Sequence, residues 1–232
     1  GPPGGDMSGT VGDGPTPRAT FGLAYAPLAS VAQAAASYIA RKPILTFEQA
    51  CTLPVTWSTT HLALSRAGLR GGLLMIVQAA AGGVGLKAME YALCLCAASV
   101  GTAGQTHKHM LLRAVGVGGL CSSRDGAGFA LGAARLLNAH RSHLVLNSLS
   151  LDFIAVSFTS LRQGGAFEEI GKRGIWAYER HIASTPGTTY CAIALDADMA
   201  DDPAWMRRVL MLLSTRVDAV LGTSLPLRSF DM

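Results

Sequence analysis

Residues 71–102 read GGLLMIVQAAAGGVGLKAMEYALCLCAASVGT, and this stretch decides the fold of the chain. The apolar run over 71–78 predicts a strand that is buried on both faces, as in a parallel sheet. A glycine-rich turn follows, and apolar residues then recur at helical spacing over 86–98. Residues 97–102 predict a second strand. Strand, glycine turn, helix and strand form the βαβ unit that typically cradles the pyrophosphate of a dinucleotide.

The turn over residues 79–85 reads AAAGGVG and departs from the G-x-G-x-x-G fingerprint, because Ala80 stands where the first glycine is expected. Glycine-rich turns before helices also serve plain packing, so the turn alone does not separate a nucleotide-binding domain from a non-binding one. The elements around the turn distinguish these two kinds of domain better. The turn lies between a predicted strand and a predicted helix, and a second strand follows at the required distance. Dinucleotide binding is therefore the favoured interpretation.

Composition excludes several classes of protein. The chain has 232 residues, of which 50% are hydrophobic and 15% charged, and its length suits one or two domains. No uninterrupted apolar stretch reaches the ~18 residues that a membrane span needs. We therefore expect a soluble chain or part of an assembly. The basic residues are dispersed and the net charge is only +4, so no nucleic-acid partner is indicated.

The cysteines and histidines predict neither a disulfide framework nor a metal site. No C-x-x-C pair occurs, and the odd number of cysteines with apolar neighbours suits reduced thiols in an intracellular reducing compartment, the cytoplasm or an organelle. No cysteine or carboxylate completes either histidine pair, so no metal is expected. The cysteines are Cys51, Cys94, Cys96, Cys121 and Cys191.

The chain before residue 71 is less decisive. Residues 1–20 are rich in Gly, Pro, Ser and Thr and predict a linker or disordered terminus. Residues 28–39 have no single period, which leaves a strand pair and a short helix open. Thr46 is predicted as a helix N-cap, with Gln49 completing a capping box. A second helix is predicted over 58–67.

Strands and helices alternate in the rest of the chain. Helices are predicted over 108–115, 128–138, 153–161 and 203–215, and strands over 116–122, 142–147, 166–170 and 188–195. This alternation predicts an α/β fold with a doubly wound parallel sheet. In such a sheet the ligand lies at the carboxyl ends of the strands, so the loops after Gln78, Val100, Asn147 and Ile170 should line one crevice.

The loop over residues 102–108 contains no acidic residue that would hold an unphosphorylated ribose. Lys108 and neighbouring histidines are available instead. This composition favours a 2′-phosphate, and hence NADPH over NADH. A solvated lysine at the start of a helix is the alternative interpretation of Lys108.

Six short motifs occur in the order and approximate spacing of one known group of enzymes. They are Leu53-Pro54-Val55, Ala79-Ala80-Ala81-Gly82-Gly83-Val84-Gly85, Thr102-Ala103-Gly104, Ser122-Ser123-Arg124-Asp125, Leu146-Asn147-Ser148-Leu149 and Glu169-Ile170-Gly171-Lys172. On these motifs residues 21–232 resemble the enoylreductase domain of modular polyketide synthases. That domain belongs to the zinc-independent, quinone-oxidoreductase-like part of the medium-chain dehydrogenase/reductase superfamily.

The resemblance implies a domain organisation. A Rossmann-type NADPH-binding domain would occupy residues 46–222, after the end of a GroES-like substrate domain over residues 21–45. Residues 223–232 would begin a C-terminal return segment. The chain is thus expected to be truncated at both ends, and the tyrosine proposed as proton donor in family members would lie outside it.

The resemblance also implies a reaction. NADPH would reduce the carbon–carbon double bond of an α,β-unsaturated thioester, carried on an acyl carrier protein, by hydride transfer to the β-carbon. Other synthase domains or chains would be partners, and a homodimer is compatible with the family. No catalytic zinc is implied. A non-catalytic structural or NADPH-sensing subunit and a stand-alone quinone oxidoreductase are the alternatives.

The family motifs assign site residues to this chain. Cofactor contacts fall on Thr59, Ala81, Gly82, Gly83, Val84, Gly85, Thr102, Lys108, Arg124, Asn147, Ser148, Leu149 and Gly171. Lys172 matches a lysine proposed as proton donor or substrate-positioning group, although the residues alone favour a surface lysine. Asp196 is the candidate for the aspartate often paired with that lysine, since Ala194 stands at the matching position.

Overall fold

The computed structural model describes residues 5–12, 15–25, 29–138, 140–150 and 152–228. The chain divides into two compact units. The split unit comprises Gly1–His61 and Ala194–Met232, and the central unit comprises Leu62–Ile193. Each unit has its own sheet.

Strands and helices alternate along the chain from Leu74 to Ala192, as the sequence predicts, and two consecutive helices follow. The strands are β1 (Asp6–Val11), β2 (Arg18–Leu23), β3 (Ile39–Arg41), β4 (Leu74–Val77), β5 (Ala98–Ala103), β6 (Gly119–Ser122), β7 (Ser142–Asn147), β8 (Leu161–Glu169) and β9 (Thr189–Ala192). The helices are α1 (Phe47–Ala50), α2 (Pro54–Arg66), α3 (Gly83–Cys94), α4 (Thr106–Ala114), α5 (Gly126–Leu137), α6 (Asp152–Thr159), α7 (Tyr178–Ser184), α8 (Leu195–Asp201) and α9 (Pro203–Asp218).

The central unit contains a parallel sheet with the strand order β6-β5-β4-β7-β8-β9. The first strand of the unit, β4, lies between β5 and β7, so the direction of winding reverses beside it. The prediction of a doubly wound parallel sheet is therefore confirmed. At such a reversal the loops that leave neighbouring strands run to opposite faces and open a crevice at the carboxyl edge of the sheet.

A continuous apolar core holds this sheet together. Residues of β4, β5, β7 and β8 are almost fully buried against α5 and α6, and Phe129 and Phe167 are both completely buried. The rings of Phe158 and Phe167 stack with their centroids 4.3 Å apart. Burial of one such side chain contributes ~1.5–3 kcal/mol, so this core is the main support of the strand ends.

The split unit contains an antiparallel sheet with the strand order β1-β2-β3. The linker predicted over residues 1–20 is therefore wrong for β1 and for the start of β2. Its Gly, Ser and Thr composition is tolerated because pairing decides the structure, and the hydroxyl of Ser8 donates to the carbonyl of Thr20 across the two strands. The small sheet agrees with the predicted remnant of a substrate domain, and residues 1–4 and 13–14 lie outside the described residues.

Several local predictions can be compared with the structure. The capping box is confirmed, since the Gln49 N–H donates to Thr46 Oγ1 over 3.2 Å and the Thr46 N–H to Gln49 Oε1 over 3.1 Å. Within residues 28–39, a single 3₁₀ turn forms at Ala36–Tyr38, and residue 28 is outside the described residues. The strand expected from Ala166 begins earlier, at Leu161, because β8 continues through an irregular register beside β7.

Candidate functional site

Four neighbouring strands of the central sheet each end on a buried polar side chain. Gln78 directly follows β4, and Thr102, Asn147 and Glu169 lie at the ends of β5, β7 and β8. Their exposed fractions are 2%, 0%, 0% and 1%, respectively. Buried polar groups are costly unless they are hydrogen-bonded, so their partners determine the geometry of this edge. The loops expected to lie together leave one edge of the sheet, but the loop expected after Val100 begins only after Ala103, because β5 continues to that residue.

Thr102 holds the turn between β4 and α3. Its hydroxyl accepts a 2.9 Å hydrogen bond from the Ala79 N–H and donates over 2.8 Å to Gln78 Oε1. Its carbonyl accepts from the Ala80 N–H over 2.8 Å. Ala79 itself has a φ of 49°, a left-handed conformation that costs energy for a non-glycine residue. The hydroxyl of Thr102 is thus engaged by the turn, which it supports from the neighbouring strand.

Glycines allow the start of α3 to pack closely against the turn. A Cβ atom added to Gly85 would lie 2.5 Å from the Ala80 carbonyl oxygen, so no larger residue fits without movement of the backbone. Gly82 is the N-cap of α3 and provides no capping side chain. The first turn of α3 therefore begins at a residue that leaves the approach to its N–H groups unobstructed by a side chain, a geometry suited to phosphate oxygens.

The loop after β5 is held by Arg124, which follows β6. The Arg124 Nε donates to the Gly104 carbonyl over 2.5 Å, and a Cβ atom on Gly104 would lie 3.5 Å from that same Nε. His109 Nε2 lies 2.7 Å from the Ala103 carbonyl oxygen, so the start of α4 is tied to the same loop. Lys108 is exposed on α4. Two cationic side chains thus belong to the segments that follow β5 and β6.

Glu169 connects the loops after β7 and β8. Asn147 Nδ2 donates to Glu169 Oε2 over 2.6 Å, and the Gly171 N–H donates to Glu169 Oε1, also over 2.6 Å. Burial raises the pKa of Glu169 to about 7, although these two hydrogen bonds act in the opposite direction. Asn147 Nδ2 also donates to the Leu149 carbonyl over 2.6 Å, which folds the loop after β7 back on its own strand.

The structure brings several predicted site residues together in the central unit. The Ser148 hydroxyl donates to the Gln78 carbonyl over 3.3 Å, which places the loop after β7 beside the glycine turn. Lys172 is exposed in the loop that begins with Ile170. Thr59, on α2, and Asp196, on α8, belong to the split unit, and their roles stay predictions.

The predicted site did not include Gln78 and Glu169, two buried residues at the carboxyl edge of the central sheet. Gln78 Nε2 donates to the Ser157 hydroxyl over 2.7 Å, in addition to the contact of its Oε1 with Thr102. Gln78 is a polar residue at the end of the apolar run of β4, which is the signal that could have identified it; Glu169 follows another glutamate and has no such signal. Glu168 is a further buried carboxyl group on β8; its Oε2 has no hydrogen-bond partner among the described residues, and burial raises its pKa to about 7.

Within the described ranges, no group of three or more His, Cys, Asp and Glu side chains is arranged to hold a metal ion. The same residues contain no helix that is both long enough and apolar enough to cross a bilayer.

Comparisons with known proteins agree with this geometry. No protein-family profile matches the chain. The chain is 35% identical over 216 residues to the spectinabilin polyketide synthase system protein NorB of Streptomyces orinoci, a match that covers 91% of this chain and 10% of that protein. The chain spans about a tenth or less of the length of the curated relatives it matches.

Solved structures of polyketide enoyl reductases share the fold. The CurK enoyl reductase superposes with a TM-score of 0.88 at 27% identity, over 95% of this chain and 69% of that one. The nucleotide-binding subdomain of the enoylreductase domain of PpsC from Mycobacterium tuberculosis gives a TM-score of 0.66 at 27% identity, over 74% of this chain and 97% of that one.

A Rossmann-type parallel sheet with a small antiparallel sheet is the fold of the medium-chain dehydrogenase/reductase class. The relatives above narrow this class: the sequence of the chain is similar to polyketide synthases, and its fold is that of enoyl reductase domains.

Proposed function

We propose that the chain is part of an NADPH-dependent enoyl reductase, which reduces the double bond of an α,β-unsaturated acyl thioester during polyketide synthesis. The observation that carries the proposal is the glycine turn, which Thr102 holds at the carboxyl edge of a doubly wound sheet. Partners would be an acyl carrier protein that presents the thioester, together with the other domains or chains of a synthase.

The residues present fit a dinucleotide. The space that a Cβ atom on Gly85 would need is filled by the Ala80 carbonyl, so the first turn of α3 lies directly against the backbone of the glycine turn. Ala81 to Gly85 would hold the pyrophosphate at the start of α3. Lys108 and Arg124 would attract a 2′-phosphate, and the loop over Asn147, Ser148 and Leu149 would contact the nicotinamide ribose. Thr59, Thr102 and Gly171 are the remaining proposed cofactor-binding positions.

The reaction requires a hydrogen-bond or proton donor beside the thioester. When bound, NADPH supplies the hydride that is added to the β-carbon. Negative charge then develops on the thioester oxygen, and a proton must reach the α-carbon. Lys172 would donate to that oxygen or deliver that proton, with Asp196 as its candidate partner.

Nucleotide titration tests the cofactor. The protein is titrated with NADPH and NADH while nucleotide fluorescence is followed, beside Gly83→Asp and the neutral, isosteric Gly83→Asn. An aspartate at the first position of α3 favours the helix but repels phosphate, so the protein should fold and lose binding. Gly83→Asn should retain more affinity than Gly83→Asp. Folded wild-type protein that binds neither nucleotide would overturn the proposal and favour a structural subunit.

Turnover tests the reaction. NADPH oxidation is followed with a synthetic enoyl thioester and with a small quinone, in the protein joined to its complete substrate domain. Reduction of the thioester in preference to the quinone supports the proposal. Preference for the quinone would identify a quinone oxidoreductase, and nucleotide binding without oxidation of NADPH by either acceptor would indicate an NADPH-sensing role.

A further inference from the structure

One carboxylate joins the two loops to which the proposed function assigns nicotinamide contact and proton delivery. Glu169 is the last residue of β8 and is 1% exposed. Its Oε2 accepts from Asn147 Nδ2 and its Oε1 from the Gly171 N–H, both over 2.6 Å. Asn147 precedes the loop over residues 148–149, and Gly171 precedes Lys172.

We propose that Glu169 is a positioning residue whose ionised carboxylate fixes the loop after Asn147 and the backbone at Lys172 relative to each other. This inference rests on the proposed function, which gives those two loops their roles. Glu169 would act through its neighbours, without touching cofactor or substrate.

Backbone hydrogen bonds hold the main chain of Glu169 on both sides. The Ile170 N–H donates to the Asn147 carbonyl over 2.8 Å, and the Ile193 N–H donates to the Glu169 carbonyl over 2.7 Å. The main chain of Glu169 is therefore fixed by β7 on one side and by the segment after β9 on the other. A Cβ atom added to Gly171 would lie 2.6 Å from Glu169 Oε1, so a larger residue at this position would displace the carboxylate from its present contacts.

The effect of Glu169 extends to the loop after β7 through Asn147. With Nδ2 directed at the carboxylate, the other amide atom, Oδ1, accepts from the Leu149 N–H over 3.3 Å. Nδ2 also donates to the Leu149 carbonyl. A rotated amide would place its oxygen against the carboxylate, so Glu169 determines the orientation in which Asn147 holds Leu149.

Both partners of Glu169 donate N–H groups, and therefore both oxygens must accept. Protonation would remove the charge that strengthens both hydrogen bonds and would leave one oxygen a poorer acceptor. Burial opposes ionisation and the hydrogen bonds from Asn147 and Gly171 favour it, which leaves the pKa of Glu169 at about 7. The loops should therefore loosen as the pH falls through neutrality.

The titration of Glu169 can be distinguished from the titration of neighbouring groups. Burial raises the pKa of Tyr190 on β9 above its ordinary value of 10, and the charge of Glu169 raises it further, so this group titrates far above neutral pH. Glu168 precedes Glu169 on β8 and so points to the opposite face of the sheet. Asn147, from β7, is uncharged. Lys172 lies in the following loop.

The test compares Glu169→Gln with Glu168→Gln, a change of the same chemistry at the adjacent buried position. NADPH affinity and enoyl thioester turnover are measured from pH 6 to 9, and the amide resonances of Gly171 and Asn147 are followed by NMR. In the wild type and in Glu168→Gln, turnover and these resonances should change together with a midpoint near pH 7. Glu169→Gln should remove that transition and lower turnover about 10- to 100-fold, the loss expected for one charge-assisted hydrogen bond.

A double variant distinguishes the loss of this contact from a general disruption of the structure. In Glu169→Gln with Asn147→Asp, the new amide can donate to the new carboxylate while its oxygen still accepts from Gly171, so part of the lost turnover should return. An unchanged pH transition in Glu169→Gln, or resonances of Gly171 and Asn147 that do not titrate in the wild type, would overturn the inference. Wild-type protein that binds no nucleotide would overturn the proposed function, whereas the resonances would still decide whether Glu169 ties the loops.

Discussion

Thr102 donates a 2.8 Å hydrogen bond to Gln78 Oε1 and accepts from the Ala79 N–H, which joins the ends of β5 and β4 through one hydroxyl group. Thr102→Val keeps the shape of the side chain and removes both hydrogen bonds. The partly buried Ala79 N–H and the buried amide oxygen of Gln78 would each lose a partner, so we expect a loss of about 1–3 kcal/mol in the free energy of unfolding. NADPH affinity should also fall, since the turn would lose its support.

Thr159→Val is the matched control. The Thr159 hydroxyl donates only to the Val156 carbonyl one turn earlier, at an exposed site on α6. Urea denaturation and nucleotide titration of both variants measure the difference. Equal stabilities and equal NADPH affinities would show that the hydroxyl of Thr102 does not hold the turn.

The tight passage of the turn gives a second prediction. In Gly85→Ala the new Cβ atom would meet the Ala80 carbonyl oxygen at 2.5 Å, and the backbone must move. We expect NADPH affinity to fall at least ~10-fold, because displacement of the turn moves the N–H groups that would bind phosphate. Gly118→Ala is the control, since a Cβ atom there has nothing within 4 Å. Equal nucleotide affinity in both variants would contradict a role for the close approach at Gly85.

Arg124 gives a prediction about selectivity. Its Nε is bound to the Gly104 carbonyl, which holds the guanidinium beside the loop after β5. Arg124→Ala should lower NADPH affinity about 10-fold or more and leave NADH affinity nearly unchanged, because only the 2′-phosphate would need the charge. Arg113→Ala removes an exposed charge at the other end of α4 and should change neither affinity. An equal loss of NADH affinity would mean that Arg124 supports the loop and does not bind the 2′-phosphate.

The sequence predicts the features that depend on a local pattern of apolar and polar residues. β7 was predicted with its observed limits, Ser142–Asn147, because a short apolar run ends there on a polar residue. β1 was missed because Gly, Ser and Thr carry little strand signal of their own, and its structure depends on pairing with β2. Strand alternation was enough to predict the parallel sheet and the edge at which its loops gather.

Contacts between residues distant in sequence could not be predicted in this way. Gln78 meets Thr102, and Asn147 meets Glu169, only because the order of strands places β4 beside β5 and β7 beside β8. No local periodicity of the sequence indicates the order of the strands in the sheet. The family motifs came near to these contacts, since they include Thr102, Asn147 and Glu169, yet they named residues for their cofactor roles and gave no indication of the hydrogen bonds between them.

Glu168 gives a prediction for the dependence of stability on pH. It is 3% exposed, and burial raises its pKa from 4.5 to about 7, while Arg66 and Cys191 lower it. The folded state therefore binds this proton more tightly than the unfolded state. Its contribution to stability is complete below about pH 4.5 and is lost as the pH rises through 7, and at ~1.4 kcal/mol per pKa unit the loss is roughly 3 kcal/mol.

Glu168→Gln removes this titration and keeps the volume of the side chain. We expect the variant to lose less stability than the wild type between pH 5 and pH 8, by roughly 2–3 kcal/mol. Glu179→Gln, at an exposed position on α7, should follow the wild type. Urea unfolding at the two pH values measures all three proteins. A variant whose stability falls as steeply as that of the wild type would show that Glu168 is ionised in the folded protein at neutral pH, with Arg66 compensating for its burial.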